Sequence, residues 1–194
     1  MTSTASIYLA SQSPRRRELL QQIGVTHTVV NVNVSEQPQA GESAQDFAVR
    51  VALDKARAGW QAIPERQRRP VLGADTVVVA GDNILGKPRD RDAALSMLRL
   101  LSGRTHQVMT AVALVAGREA IRISSSSVTF RTVSEAECAA YWETGEPEDK
   151  AGGYAVQGLA AMFISRLDGS YSGVMGLPLF ETAQLLKEFG VEVL

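Results

Sequence analysis

The sequence predicts an α/β protein in which one mixed β-sheet is flanked by helices. Segments with apolar residues at helical spacing alternate with short β-branched runs along the chain. The 194 residues, of which 45% are hydrophobic and 21% charged, are typical of a globular protein with one core. Because no repeat, low-complexity tract or long linker divides them, we expect a single domain over residues 1–194, with a bent sheet and a cleft between two lobes.

The first half of the chain is expected to contain three strands and two helices. In chain order these are a strand at 7–10, a helix at 14–24, a strand at 28–34, a helix at 43–62 and a strand at 70–80. A hydroxyl at Ser13 and a proline at the first helical position indicate the start of the first helix. Ser43 and Asp46 form a capping pair at the start of the second helix. The strand at 70–80 is apolar on both faces, as expected of a central strand.

The second half of the chain is expected to alternate in the same way. The expected elements are a strand at 83–85, a helix at 90–101, a hairpin of strands at 106–115 and 120–131, a helix at 134–144, a strand at 162–167 and a helix at 178–189. The segment 145–158 is rich in glycine and charge, so we expect a loop there.

The overall charge excludes several classes of partner. The 20 Lys and Arg residues nearly balance the 21 Asp and Glu residues, so we expect no stable binding to nucleic acid and no association with a membrane surface. The only cysteine, Cys138, excludes an internal disulfide and indicates a reducing compartment. Since the chain also lacks a long apolar segment and a signal sequence, we expect a cytoplasmic protein.

A basic loop follows the first strand. Arg15, Arg16 and Arg17 stand in the first turn of the first helix, where exposed backbone amides already provide partial positive charge. With the hydroxyls of Ser11 and Ser13, these groups form a site suited to a diphosphate or triphosphate. A solvated basic face is the alternative interpretation, but a position directly after a strand favours the anion site.

Asp75 interrupts the most apolar strand of the chain. A buried carboxylate without a partner costs several kcal/mol, so Asp75 needs a lysine, an arginine or a metal ion. Glu36 follows another strand and offers a second carboxylate for the same site. Two carboxylates with phosphate oxygens and water would complete an octahedral magnesium site, whereas a salt bridge in the core is the alternative for Asp75.

Three further residues are candidates for ligand contacts. Lys55 on the second helix and Lys87 in the turn Gly86-Lys87-Pro88 are cations of the kind that contact phosphate, although each alone is typical of a surface lysine. Gln157 lies in the glycine-rich loop and offers both a donor and an acceptor for a base edge. His27 and His106 lack the spacing of metal ligands, and Cys138 is expected to be a small buried side chain.

The chain contains a series of short motifs in order: Leu9-Ala10-Ser11-Gln12-Ser13-Pro14-Arg15-Arg16, Ser35-Glu36, Lys55-Ala56, Gly73-Ala74-Asp75-Thr76, Gly86-Lys87-Pro88, Leu101-Ser102-Gly103, Thr110-Ala111-Val112, Lys150-Ala151-Gly152-Gly153-Tyr154, Gln157-Gly158 and Val174-Met175-Gly176-Leu177-Pro178. Taken together, these motifs resemble those of the Maf family of nucleotide pyrophosphatases over essentially the whole length of the chain. The resemblance implies a fold similar to that of inosine triphosphate pyrophosphatases, a homodimer and a divalent cation, Mg²⁺ or Mn²⁺.

Within the family, Arg15, Thr76 and Gln157 resemble the branch that acts on dTTP and UTP. The resemblance therefore implies hydrolysis of these nucleoside triphosphates to the monophosphate and pyrophosphate, which would limit incorporation of non-standard nucleotides. Glu36 and Asp75 would hold the metal, and Asp75 or a metal-bound water would supply the base. Neutralisation of the phosphates would fall to five residues: Ser11, Arg15, Arg16, Lys55 and Lys87. Thr76 and Gln157 would hold the pyrimidine.

Two alternatives stay open at this point. The first is the same chemistry on 7-methyl-GTP or on modified nucleotides. The second is a non-enzymatic regulator of cell division that binds nucleotide or nucleic acid, since the family is associated with division arrest.

Overall fold

A computed structural model describes residues 6–193 of the protein. Its strands are β1 (Ile7–Ala10), β2 (His27–Val29), β3 (Val71–Ala80), β4 (Asn83–Leu85), β5 (Thr105–Val115), β6 (Glu119–Phe130) and β7 (Ile164–Asp168). Its α-helices are α1 (Pro14–Gln22), α2 (Ala44–Ala62), α3 (Arg91–Leu101), α4 (Glu135–Glu143), α5 (Tyr171–Met175) and α6 (Leu179–Glu188). Short 3-10 helices span Glu65–Gln67, Ala151–Gly153 and Leu159–Phe163.

The strands form one mixed sheet. Their order is β2-β1-β3-β5-β6-β7, and β4 pairs with β3 outside this path. β1 pairs in parallel with β2 and β3, whereas β4 pairs antiparallel with β3 and β7 pairs antiparallel with β6. The predicted α/β class with a mixed sheet and flanking helices is therefore confirmed. Within residues 6–193 no helix combines the length and apolarity that crossing a membrane requires.

The described residues fall into two compact units. Unit 1 contains residues 6–75, 110–124 and 176–193, and unit 2 contains residues 76–109 and 125–175. In unit 1, β1, α1, α2 and the first half of β3 surround buried side chains such as Ile7, Leu9, Leu20 and Val51. In unit 2, one apolar cluster lies between α3, α4 and the strands, and its largest side chains are Phe130, Tyr141, Tyr154 and Phe163.

Close packing of α2 against β3 is the feature of unit 1 that positions the candidate site. A Cβ atom at Gly73 would lie 2.2 Å from the carbonyl oxygen of Ala52 and 2.7 Å from the amide nitrogen of Ala56, so only glycine allows this approach. Asp75 lies two residues beyond Gly73 and therefore on the same face of β3. Lys55, next to Ala56 on α2, is thereby brought to the carboxylate of Asp75.

Most of the predicted element boundaries lie within two residues of those in the structure, and the predicted cap of α2 is confirmed. The Ser43 hydroxyl accepts a hydrogen bond of 3.1 Å from the amide of Asp46. Asp90 and Ser134 likewise cap α3 and α4.

Three expectations for local structure were wrong. The second strand ends at Val29 instead of Val34, because β2 lies at the edge of the sheet and pairs only with the four-residue strand β1. The Ser13 hydroxyl does not cap α1, and the Ser13 amide donates instead to the Ser11 hydroxyl over 3.2 Å. The last strand begins at Ile164 because the preceding residues form the 3-10 helix Leu159–Phe163.

Candidate active site

The loop between β1 and α1 is organised around the buried side chain of Arg16. Its Nε donates to the carbonyl oxygen of Gly176 over 2.7 Å, and its Nη1 donates to the hydroxyl of Ser11 over 3.2 Å. Ser11 and Arg16 are both buried. The guanidinium group therefore fixes the Ser11 hydroxyl and ties the loop to the segment that precedes α6.

The three consecutive arginines differ in their surroundings. Arg16 is buried, Arg15 is half-buried and Arg17 is exposed. Burial lowers the pKa of Arg16, while the negative charge of Asp75 acts in the opposite direction. The structure therefore separates Arg16 from Arg17, which the spacing of charges along the sequence could not do.

Lys55 joins the two predicted carboxylates. Its Nζ lies 2.6 Å from Oε1 of Glu36 and 2.9 Å from Oδ1 of Asp75. The side chains of Lys55 and Asp75 are 10% and 12% exposed, whereas that of Glu36 is 46% exposed. The partner that buried Asp75 needs is thus Lys55, and the more exposed Glu36 provides the second negative charge.

The same two carboxylates are candidate ligands of a divalent cation. Oε1 of Glu36 and Oδ1 of Asp75 both contact the ammonium nitrogen of Lys55, so they face the same point of the site. Among the described residues, no three His, Cys, Asp or Glu side chains form a cluster that could hold a metal by themselves. A cation held by Glu36 and Asp75 would therefore depend on substrate oxygens and water for its other ligands, as magnesium commonly does.

The other predicted site residues belong to unit 2. Thr76 is half-buried on β3, whereas Lys87 and Gln157 are exposed. The amide of Gly152 donates to the carbonyl oxygen of Gly86 over 3.0 Å, which joins the Gly86-Lys87-Pro88 turn to the glycine-rich loop. A Cβ atom at Gly152, where φ is +72°, would lie 3.1 Å from methyl groups of Val78, so glycine is required at this contact.

Sequence reasoning missed the hydrogen bonds that hold the Gln157 segment. Oε1 of Glu146 accepts from the Tyr141 hydroxyl over 2.7 Å, and Oε2 accepts from the amide of Leu159 over 2.9 Å. The Tyr141 hydroxyl in turn accepts from the amide of Ala155 over 3.2 Å. A glutamate in a loop rich in charge carries no pattern that could have singled it out.

The two histidines and the cysteine differ in their burial. His106 is 2% exposed, its Nε2 lies 2.8 Å from the Tyr154 hydroxyl, and burial lowers its pKa to about 4. His27 is half-buried. Cys138 is buried, and burial raises the pKa of its thiol, which confirms the prediction of a small buried side chain.

The chain is similar to several known proteins over much of its length. A dTTP/UTP pyrophosphatase of Alkalilimnicola ehrlichii is 59% identical over 96% of this chain and 94% of its own length. A dTTP/UTP pyrophosphatase of Saccharophagus degradans is 53% identical over 98% of this chain and 92% of its own length. The structure of a nucleoside-triphosphatase, named a dITP/XTP pyrophosphatase, from Mycobacterium abscessus is 20% identical, with a TM-score of 0.38 over 64% of this chain and 72% of that one. The model of the Maf-like protein family matches residues 6–189, and the chain therefore belongs to the Maf family.

Proposed function

We propose that this protein is a metal-dependent nucleoside triphosphate pyrophosphatase that hydrolyses dTTP and UTP to the nucleoside monophosphate and pyrophosphate. The observation that carries the proposal is the contact of Lys55 with both Glu36 and Asp75, two carboxylates fit to hold a cation. Relatives named for this activity are 59% and 53% identical over nearly the whole chain, which supports the choice of substrate.

The cationic groups would neutralise the charge of the substrate phosphates. Ser11 and Arg16 already form a hydrogen-bonded pair in which the hydroxyl is held in a fixed position. Arg15, Lys55 and Lys87 would add positive charge, which stabilises a transition state in which negative charge grows on the leaving pyrophosphate. Arg16 would act chiefly by holding Ser11, because its Nε and Nη1 already donate within the protein.

The reaction replaces one bond to the α-phosphorus by another. A water oxygen attacks the α-phosphorus, and the bond from this phosphorus to the oxygen shared with the β-phosphorus breaks. Pyrophosphate leaves with the bonding electrons, and the water proton passes to a base. Asp75 would be that base, because it is a nearly buried carboxylate beside the cations that attract the substrate.

Glu36 and Asp75 would hold the divalent cation, Mg²⁺ or Mn²⁺. When bound, such a cation polarises phosphate oxygens and lowers the pKa of water. Lys55 contacts both carboxylates, so it would orient them before the cation arrives. The exposure of Glu36 suits a ligand that must exchange partners when the nucleotide and cation enter together.

Recognition of the pyrimidine would depend on Thr76 and Gln157. The amide of Gln157 provides one donor and one acceptor, which match the edge of uracil or thymine. The backbone of unit 2 around Gln157 is held by hydrogen bonds that the amides of Ala155 and Leu159 donate to the Tyr141 hydroxyl and the Glu146 carboxylate. We propose that residues 1–194 act as one functional domain, since each compact unit is built from separate segments of the chain.

A panel of nucleotides tests this function. Purified protein is incubated with dTTP, UTP, CTP, ATP, GTP and 7-methyl-GTP, each with Mg²⁺, with Mn²⁺ or with a chelator, and pyrophosphate is measured separately from phosphate. The proposal predicts release of pyrophosphate from dTTP and UTP that requires the cation. Preference for 7-methyl-GTP, or binding of nucleic acid without turnover of any nucleotide, would contradict it.

We further propose that the protein works in the cytoplasm as a homodimer. A single buried cysteine suits a reducing compartment. Sedimentation equilibrium of the purified protein would test the dimer directly, because the chain has a mass of 20.9 kDa and a dimer would sediment with twice that mass.

A further inference from the structure

The segment that carries Gln157 forms a tight turn in unit 2. The amide of Gly158 donates to the carbonyl oxygen of Ala155 over 3.1 Å, so Gln157 occupies the third position of this turn. The amide of Ala161 donates in the same way to the carbonyl oxygen of Gly158, which begins the next 3-10 helix. Gln157 is exposed, so the position of its amide group depends on how firmly the turn is held.

Two side chains hold the turn from both sides. On the near side, the Tyr141 hydroxyl accepts a hydrogen bond from the amide of Ala155. On the far side, the Glu146 carboxylate accepts from the amides of Leu159 and Ala160, over 2.9 Å and 3.3 Å. The hydroxyl of Tyr141 also donates to Oε1 of Glu146 over 2.7 Å, so the two side chains that hold the turn are hydrogen-bonded to each other.

The absence of a side chain at Gly158 makes room for the Glu146 carboxylate. A Cβ atom at Gly158 would lie 2.3 Å from Oε2 and 2.4 Å from Oε1 of Glu146, so the backbone passes directly beside the carboxylate. Although burial opposes ionisation, the hydrogen bonds from Tyr141, Leu159 and Ala160 lower the pKa of Glu146. The carboxylate is therefore ionised at neutral pH, and charge-assisted hydrogen bonds of this kind are stronger than neutral ones.

Tyr141 anchors the pair of Tyr141 and Glu146 in the core. Tyr141 is 2% exposed, and its ring packs edge to face against Phe163, with ring centroids 5.4 Å apart. Tyr141 lies in α4, and Glu146 lies in the turn that follows the C-cap of that helix. The turn of Gln157 is thus attached to a packed helix of unit 2 instead of moving as a free surface loop.

We propose that Glu146 and Tyr141 are positioning residues for recognition of the pyrimidine: they hold the backbone turn that presents Gln157 to the base. This inference rests on the proposed function, in which Gln157 contacts the pyrimidine. A pair that serves only stability would affect all nucleotides equally. A positioning pair affects mainly those nucleotides whose base the amide recognises.

The test compares UTP with CTP, which share the ribose and the triphosphate and differ only at the base edge. For wild-type protein, Glu146→Gln, Tyr141→Phe and Gln157→Ala, kcat and KM are measured with both nucleotides. The preference for UTP over CTP in kcat/KM is expected to fall about tenfold in each variant, mainly through a higher KM for UTP, as the loss of a charge-assisted hydrogen bond would allow. The double variant Glu146→Gln with Gln157→Ala should lose little further preference.

Glu143→Gln is the matched control, because Glu143 is exposed and lies at the end of the same helix. This variant is expected to keep the wild-type preference. Amide hydrogen exchange supplies a readout independent of turnover: exchange at Ala155, Leu159 and Ala160 should be faster in Glu146→Gln than in the control. If Glu146→Gln does not fold, Tyr141→Phe removes the hydroxyl that serves both sides of the turn and gives the same comparison.

The possible failures are distinguishable. Equal losses of UTP and CTP turnover, or an unchanged preference in both Glu146→Gln and Tyr141→Phe, would overturn the positioning role while the proposed function stands. Absence of pyrophosphate release by the wild-type protein from every nucleotide would overturn the proposed function, and the positioning role with it.

Discussion

The Nζ atom of Lys55 lies 2.9 Å from Oδ1 of Asp75, and both side chains are nearly buried. Asp75 interrupts an apolar strand and Lys55 interrupts the apolar face of a helix, so each alone would be unfavourable. Together they form an ion pair that also reaches the exposed carboxylate of Glu36. Burying such an ion pair costs desolvation free energy that offsets its electrostatic gain, so the pair contributes little net stability. This favours a role in binding or catalysis.

Asp75→Asn is expected to lower kcat/KM for dTTP at least about a hundredfold, because the amide can neither accept the water proton nor hold a cation as a carboxylate does. The matched control is Asp54→Asn, on the same helix as Lys55. Oδ2 of Asp54 lies 3.7 Å from Nη1 of Arg50, and the Asp54 side chain is more exposed than that of Asp75. Pyrophosphate release by both purified variants checks the prediction. Near wild-type turnover by Asp75→Asn would remove Asp75 from the chemistry.

Arg16→Lys is expected to lower the free energy of unfolding by about 1–3 kcal/mol, because lysine cannot donate to both Gly176 and Ser11 in the geometry of a guanidinium group. It should also lower kcat/KM about tenfold, since Ser11 loses its partner. Arg17→Lys changes an exposed neighbour and should leave both quantities near those of the wild type. Urea unfolding and dTTP turnover of the two variants measure the difference; equal behaviour would contradict the role of Arg16.

Gly73→Ala is expected to lower the free energy of unfolding by about 3 kcal/mol, because the new methyl group would collide with the backbone of α2 at Ala52 and Ala56. Since α2 carries Lys55, folded Gly73→Ala protein should also turn over dTTP more slowly. Gly86→Ala is the control for stability, because a methyl group there meets no atom within 4 Å and φ is not positive. Chemical unfolding compares them, and a stable Gly73→Ala protein would show that α2 can move without cost.

The buried His106 is expected to make stability fall in mild acid. Burial lowers its pKa from 6.5 to about 4, so between these values the unfolded chain binds the proton and the folded protein does not. Stability is therefore complete above about pH 6.5 and is lost as the pH falls toward 4, by about 3 kcal/mol in all.

Urea unfolding between pH 7.5 and pH 5 measures this dependence. The lower limit keeps the measurement above the pH range in which protonation of Glu42 and Glu137 would reduce the free energy of unfolding. Their arginine partners lower the pKa values of these two carboxyls to about 2. His106→Gln should flatten the dependence, whereas His27→Gln should preserve it. An equally steep dependence in His106→Gln would assign the effect to other groups.

Much of the fold could be predicted from local pattern. Ser43 with Asp46, and Asp90 before its helix, indicated helix starts because a capping side chain bonds within three residues. The central strand at β3 was evident from its β-branched residues on both faces. The end of β2 was not, because it depends on the length of the partner strand β1 and not on the residues of β2.

The candidate site could be predicted only in part. Asp75 was singled out because a carboxylate in an apolar strand requires a partner, but the sequence left a lysine, an arginine and a metal ion as alternatives. Lys55 as that partner follows from the contact of Gly73 with α2, which joins residues distant in the chain. The support of Gln157 by Glu146 likewise depends on a turn whose geometry no spacing rule encodes.

The site of bond cleavage in dTTP tests the central claim most directly. The protein is incubated with dTTP and Mg²⁺ in water enriched in ¹⁸O, and the products are identified by ³¹P NMR and mass spectrometry. Attack at the α-phosphorus predicts dTMP that carries one ¹⁸O atom, together with unlabelled pyrophosphate. Production of dTDP with labelled phosphate, or no turnover in the presence of the cation, would contradict the proposed pyrophosphatase.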